Sequence, residues 1–283
     1  MIKLFKYTAV SLLLGSALVS AHTGHNHSEM AAKKTEEHQH PKAEKQATIK
    51  ISLLKQEDQV SKKLTQIKLT KITDDQPVTL NDLKEAHTQK VHLLIVDDSL
   101  TDYHHIHPKA TKEPGVYQFE WTPKAKGSYK LWADLVPVAT NEQQYVTSDL
   151  IKGEKGAPID KNVSLQSTVE GYTFKLSFDQ DKLVAGKPVM GKIIVTDAKG
   201  DSVKTLEPIM AAYAHIVGFS EGLQSVVHIH PMGDEPTKET DRGGPELEFH
   251  LEPSAPGFIK LFAQVKLNGK ELFVPFGINI ESN

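Results

Sequence analysis

Two stretches decide the fold. Residues 92–108 read HLLIVDDSLTDYHHIHP, and residues 215–231 read HIVGFSEGLQSVVHIHP. His92, His105, His107 and Pro108 of the first recur as His215, His228, His230 and Pro231 of the second, each 123 residues later (215 − 92). Upstream, Thr73-Asp74 and Thr196-Asp197 keep the same offset. Downstream, residues 127–134 (GSYKLWAD) match residues 257–264 (GFIKLFAQ) at an offset of 130 (257 − 127), so the second copy carries 7 more residues (130 − 123). These fall in the Pro-, Gly- and Asp-rich stretch 232–245, a surface loop by composition. Self-similarity at a fixed offset over this length marks an internal duplication.

Each copy reads as β-structure. Residues 90–96, 116–122, 128–135, 144–150, 172–178, 189–196, 247–251, 258–266 and 271–280 are rich in β-branched and aromatic residues, and several alternate apolar with polar. Gly, Pro, Asp and Asn punctuate them at intervals of about 8–12 residues, the spacing of a sandwich or barrel. Only residues 80–87 suggest a short helix. The expected architecture is all-β: two tandem β-sandwich domains, immunoglobulin-like or cupredoxin-like, over residues 48–152 and 160–283. The junction is the Gly- and charge-rich stretch KGEKGAPID, residues 152–160. Trp121, Trp132 and Phe262 alternate with polar residues on predicted strands and are expected in the core.

The ends of the chain carry a different signal. Lys3 and Lys6 precede an apolar run over residues 7–18, and Val19-Ser20-Ala21 offers small residues where a signal peptidase cuts. Residues 1–21 are expected to be an export signal, leaving no membrane span after its removal and a periplasmic or secreted protein. Residues 22–47 hold His22, His25, His27, His38 and His40 among Lys, Glu, Gln, Ala and Thr. So few apolar residues cannot offset ordering entropy, and a disordered His-rich tail is expected.

Composition excludes several classes. The chain has 283 residues, 24% charged, and no cysteine, which rules out disulfides, thiolate metal sites and a cysteine nucleophile. A formal net charge of −3 gives no reason to invoke nucleic acid. No nucleophile elbow, phosphate loop or HExxH motif is present, and no enzyme is expected.

The 14 histidines are the unusual feature. On a strand, residues i and i+2 share a face, so His105 and His107 project together, as do His228 and His230. Residues 97–101 read as a tight connection, which brings His92 opposite the His105 end of a hairpin. Three neutral imidazoles are a sound ligand set for Cu(II) or Zn(II). Binding to such a set should weaken as pH falls through the imidazole range. Lesser candidates are His87 and Met210, which occupy one aligned position. Glu120 and His250 occupy another, and His22 would bear the new α-amine. Asp134 aligns with Gln264, and both suit a further ligand or a partner that sets an imidazole tautomer. His104 has no counterpart and is peripheral. The alternative is architectural: histidine can bond backbone carbonyls at a strand end, and proline stops the strand.

The segments LLIVDDSLTDYHHIHP and GSYKLWAD resemble those of a group of bacterial exported proteins that often carry a second, diverged copy. The likeness spans about residues 65–280. It implies a periplasmic or secreted β-domain protein suspected of heavy-metal handling, with His92, His105, His107, His215, His228 and His230 as the residues carried over. A similarity to small periplasmic copper carriers is fainter, because those are methionine-rich and only five methionines occur here. The resulting expectation is an exported protein that sequesters or delivers copper, or alternatively zinc, at one histidine site per domain. The other reading is an envelope module that binds another envelope protein and whose histidines are structural.

Overall fold

Strand β4 (His92–Asp97) is buried along its whole length, and its counterpart β13 (His215–Ser220) nearly so. A strand with both faces covered reads as a continuous apolar run rather than an alternation, as HLLIV and HIVGF do. The computed structural model describes residues 47–283 except Glu154 and Asp234, and for His228 and His230 the backbone alone. Gln46–Asn283 form one compact unit.

The first copy comprises β1 (Ile49–Asp58), β2 (Lys63–Lys71), β3 (Leu83–Lys84), β4, β5 (Tyr103–Ile106), β6 (Lys109–Ala110), β7 (Val116–Trp121), β8 (Tyr129–Pro137) and β9 (Gln144–Ile151). One sheet runs β1-β2-β7-β6, and the other runs β3-β8-β4-β5 with β9 also on β8. The second copy comprises β10 (Gln166–Val169), β11 (Tyr172–Phe178), β12 (Val189–Thr196), β13, β14 (Val226–Met232), β15 (Glu246–Leu251), β16 (Gly257–Leu267) and β17 (Lys270–Ile280). Its ladder runs β10-β11-β12-β15-β14-β13-β16-β17. There β14 pairs first with β13 and then, from His230, with β15, so one strand serves both layers. In the first copy the same path is broken after Ile106 into β5 and β6, which pair with β4 and β7. No α-helix occurs among the described residues. The predicted helix over 80–87 is instead a single 3-10 turn, Leu80–Asp82, followed by β3. The Asp82 carboxylate accepts from the Thr79 N–H and hydroxyl at 2.9 and 2.7 Å, and Leu83 then pairs with Pro137. A capping carboxylate and an early strand pairing leave no room for a second helical turn.

Each sandwich has its own core. In the first, Ile67, Leu69, Leu93, Ile95, Tyr117 and Leu131 are among the buried residues, and in the second Phe174, Ile193, Ile216, Phe249, Leu261 and Phe276. A third cluster lies between the copies. Leu94, Val96, Tyr103 and Trp132 of the first pack on Val217, Phe219, Phe258 and Phe262 of the second. Trp121, Trp132 and Phe262 are thus buried as expected, but the last two fill the inter-copy layer. Large side chains there contribute roughly 1.5–3 kcal/mol each on burial. Aromatic contacts reinforce the layer, with the Tyr103 ring stacked on Phe262 at 4.9 Å and Trp132 tilted against Phe219 at 5.4 Å. The described residues of 152–160 connect the copies without a strand.

Candidate metal centre

The β4–β5 hairpin builds the site. Asp97 closes its turn by accepting the N–H groups of Ser99, Thr101 and Asp102 at 3.0, 2.8 and 2.8 Å. The register then pairs Leu94 with His105 and Leu93 with Ile106, which puts His92 in line with His107. Strand alternation places His92, His105 and His107 on one face, the same face as Leu94, Val96 and Tyr103. That face packs on the second copy, so the triad borders the inter-copy layer. His92 is buried, His105 is half-buried and His107 is exposed.

One nitrogen of each ring converges. His92 Nδ1 lies 3.0 Å from His105 Nε2 and 3.1 Å from His107 Nε2, and the three ligand atoms fall within 4.8 Å of one another. Nitrogens bound to one ion at 2.0–2.1 Å stand about 2.9 Å apart at a right angle and about 3.3–3.4 Å apart at the tetrahedral angle. The two observed contacts fall at and between these limits.

The outward nitrogens determine where the protons sit. His92 Nε2 is 2.9 Å from the Ala86 carbonyl, which can only accept, so Nε2 carries the proton and Nδ1 is bare. His105 Nδ1 is 2.9 Å from Gln264 Oε1, another acceptor, so His105 Nε2 is bare as well. The 3.0 Å contact between His92 and His105 therefore sets two lone pairs against each other with no proton between them. A cation relieves that repulsion. At His107, the ring's own proton can bridge to His92 Nδ1 in the metal-free state.

The environment keeps these rings neutral. Burial, then the neighbouring His92 and His107, push His105 down to about 3 despite the Gln264 bond. Burial and His92 push His107 down to about 4. Burial lowers His92 too, against the opposing bonds to Ala86 and Gln89. Asp134, the ladder partner of His92, is raised to about 6 by burial, although Gln143 donates to both its oxygens at 2.8 and 3.0 Å.

The second copy takes part in this centre. The His215 ring lies 4.7 Å from that of His105 and stacks parallel to His92 at 6.5 Å. Gln264, the ladder partner of His215, reaches across to His105. The three converging nitrogens all belong to the first copy, and the second copy adds the Gln264 bond and the His215 ring beside them. On the second side, the backbone register repeats that of the first: Val217 pairs with His228 as Leu94 pairs with His105.

The remaining candidates are distributed as follows. His87 and Met210 occupy aligned two-residue turns, His87-Thr88 and Met210-Ala211, whose four residues all have positive φ, from 47° to 70°. Each turn is closed by paired bonds, Ala86 to Gln89 and Ile209 to Ala212. The turn sets the His87 ring 6.2 Å from His92 and 6.0 Å from His215. His87 and Met210 both line a cavity of about 640 Å³ with Met232, Glu235 and Arg242, beside the triad and not in it. His250 lies on β15, opposite His230 in the ladder. Glu120 is on β7 in an exposed pair with Lys62 at 2.9 Å, outside the centre. His104 faces the other way, 3.0 Å from Asp102 and edge-on to Trp121. His22, the expected export signal over residues 1–21 and the His-rich stretch over residues 22–47 lie, but for residue 47, outside the described residues. Sequence reasoning missed the Ala86 carbonyl, which depends on the preceding turn. It named Gln264 only by its alignment with Asp134.

Among the described residues, no helix is long and apolar enough to cross a membrane. No curated protein matches the chain. Solved structures with partial likeness include domains 4 and 5 of the S-layer protein SbsC, at 14% identity over 56% of this chain and 67% of that one, TM-score 0.21. The adhesin InvE of Yersinia pseudotuberculosis shows 12% identity over 77% of this chain and 54% of that one, TM-score 0.23. MtrC of Shewanella baltica OS185 shows 5% identity over 82% and 68%, TM-score 0.24. At these scores the likeness carries nothing about function. A family model matches both copies, over residues 44–149 and 167–282, and the chain therefore belongs to the family described as Domain of unknown function (DUF8832).

Proposed function

We propose that this chain is an exported protein that binds a transition metal, copper in the first place, for sequestration or delivery. The observation that carries the reading is the convergence of three imidazole nitrogens, two of them stripped of protons by outward acceptors. Neutral imidazoles suit Cu and Zn, and the stability order for divalent ions puts copper ahead of zinc at a nitrogen set. Met210 and Met232, soft donors of the kind that suit Cu(I), line the cavity that His87 also lines. His92, His105 and His107 would hold the ion, and its chemistry would be coordination. We propose binding as the role; Glu120, the base that the sequence offers, pairs with Lys62 outside the centre. We propose a second site on His215, His228 and His230, supported by the repeated register. The signal-like residues 1–21 support a periplasmic or secreted location, with the histidine tail as a weak collector.

The test is metal retention. The full chain is loaded with Cu(I), Cu(II) or Zn(II), desalted and assayed for bound metal, beside His92→Ala/His105→Ala/His107→Ala and a chain beginning at Gln46. Retention by the Gln46 chain, together with one ion per chain fewer in the triple variant than in wild type, supports the reading. Equal retention by the triple variant and wild type refutes the triad. The architectural alternative draws on the His92–Ala86 and His105–Gln264 bonds. It predicts a lowered melting temperature in the variant and no metal retained by the Gln46 chain of wild type.

A further inference from the structure

We infer that the second copy sets the metal affinity of the first, through Gln264 acting as a positioning residue whose amide is oriented by Glu271. The inference rests on the metal reading above and assigns the part played by the other domain in that site.

Gln264 is 3% exposed, and its side chain crosses the interface to His105, 159 residues away in the chain. A primary amide presents an oxygen or an NH₂ depending on a half-turn of its last bond, and the two ends have opposite effects on an imidazole. With the oxygen toward His105 Nδ1, the proton stays on Nδ1 and Nε2 points a lone pair into the triad. With the NH₂ toward Nδ1, the proton moves to Nε2, in the place an ion would take. Glu271 removes the choice. Its Oε2 lies 2.8 Å from Gln264 Nε2, and a carboxylate only accepts, so the NH₂ is held there and Oε1 is left for His105. The order is Glu271 on β17, Gln264 on β16, His105 on β5, and then the ion.

The aligned position in the first copy isolates the logic. Asp134 has two accepting oxygens and needs no orienting partner; Gln143 donates to both of them. Only the copy with an amide at this position requires a carboxylate behind it, and it has one. Groups that orient a metal-bound imidazole typically change affinity by about 10- to 100-fold when removed.

The experiment uses the full chain and four variants: Gln264→Leu, Glu271→Ala, Gln264→Glu, and the reciprocal pair Gln264→Glu/Glu271→Gln. Dissociation constants for Cu(II) and Zn(II) are measured by chelator competition. The His105 tautomer is read in the metal-free protein from its ring ¹⁵N shifts. Gln264→Leu should weaken binding by about 10- to 100-fold, and Glu271→Ala, at an exposed position that leaves the fold intact, by several-fold. The reciprocal pair keeps an acceptor toward His105, and the amide now at position 271 donates to the carboxylate now at position 264. It should return affinity to within about threefold of wild type. Gln264→Glu without its compensating change sets two carboxylates together and should not. A purely structural role for Gln264 would not give this pattern of rescue. Wild-type affinity in both Gln264→Leu and Glu271→Ala would overturn the relay, as would a metal-free spectrum with the His105 proton on Nε2. A wild type that binds no metal would overturn the functional reading instead, and the spectrum would still decide the tautomer.

Discussion

Protons should scarcely compete with the metal until the solution is quite acidic. At an ordinary imidazole pKa of 6.5, two histidines are together about 1.8 protons loaded at pH 5.5, and a binding metal must expel them. With His105 at about 3 and His107 at about 4, the same two rings hold fewer than about 0.1 proton. His92, also lowered, adds in the same direction. Between pH 7.5 and pH 5, ordinary rings would weaken binding by about a thousandfold, and these two by about 1.1-fold. On these values the loss that the sequence places in the usual imidazole range is expected near pH 4 and below. The assay is calorimetric titration of Zn(II) at pH 5.5 in buffers of different ionisation enthalpy, on a chain beginning at Gln46, with His92→Ala/His105→Ala/His107→Ala as the baseline. The pH lies well below the value near 7 typical of zinc-bound water, so that group contributes little. Release of one proton or more per ion above the baseline would refute the argument, because it would mean the rings are solvated and ordinary.

Three further outcomes are expected. Unfolded His105 gains a proton near pH 6.5 and the folded ring only near 3, so the metal-free protein should lose about 2–3 kcal/mol through this residue by pH 4.5. Melting temperatures of wild type and His105→Gln should converge as pH falls through that window, and parallel curves would count against it. Asp102, despite burial, is held at about 2 by bonds from His104, from the Tyr129 hydroxyl at 2.6 Å and from the Lys124 N–H. Its contribution of roughly 2 kcal/mol is present above pH 4 and lost as pH falls through 2, so urea midpoints for Asp102→Asn should fall at pH 7 but meet wild type near pH 2. Gly191 on β12 lies under the Phe249 ring, where an added methyl carbon would sit 2.2 Å from the nearest ring atom. Gly191→Ala should therefore cost about 1–3 kcal/mol in denaturant unfolding, and an unchanged midpoint would show that the ring moves aside freely.

Much of this molecule is legible in its sequence, for reasons that are local. Residues 172–178 and 189–196 alternate apolar with polar because one face of each strand meets a core and the other meets water, and both strands occupy their predicted spans. The HxHP spacing places His105 and His107 on one face through strand geometry, and the short Asp97 turn brings His92 to them. Residues 80–87 failed because their apparent helicity gave way to the Asp82 cap and the pairing of Leu83. What no local pattern encodes is the docking of one copy on the other. HLLIV and HIVGF signal that both faces of β4 and β13 are covered, but not by what. The complementarity of Trp132, Phe219, Tyr103 and Phe262 decides that, and it arises only when both sandwiches have formed. The same docking brings Gln264 to His105 across 159 residues. The sequence by itself therefore determined the duplicated β-architecture and the histidines that converge. The tertiary structure alone decided where their protons lie, because that depends on the Ala86 carbonyl that a neighbouring turn presents to His92 and on the Gln264 oxygen that the partner domain presents to His105.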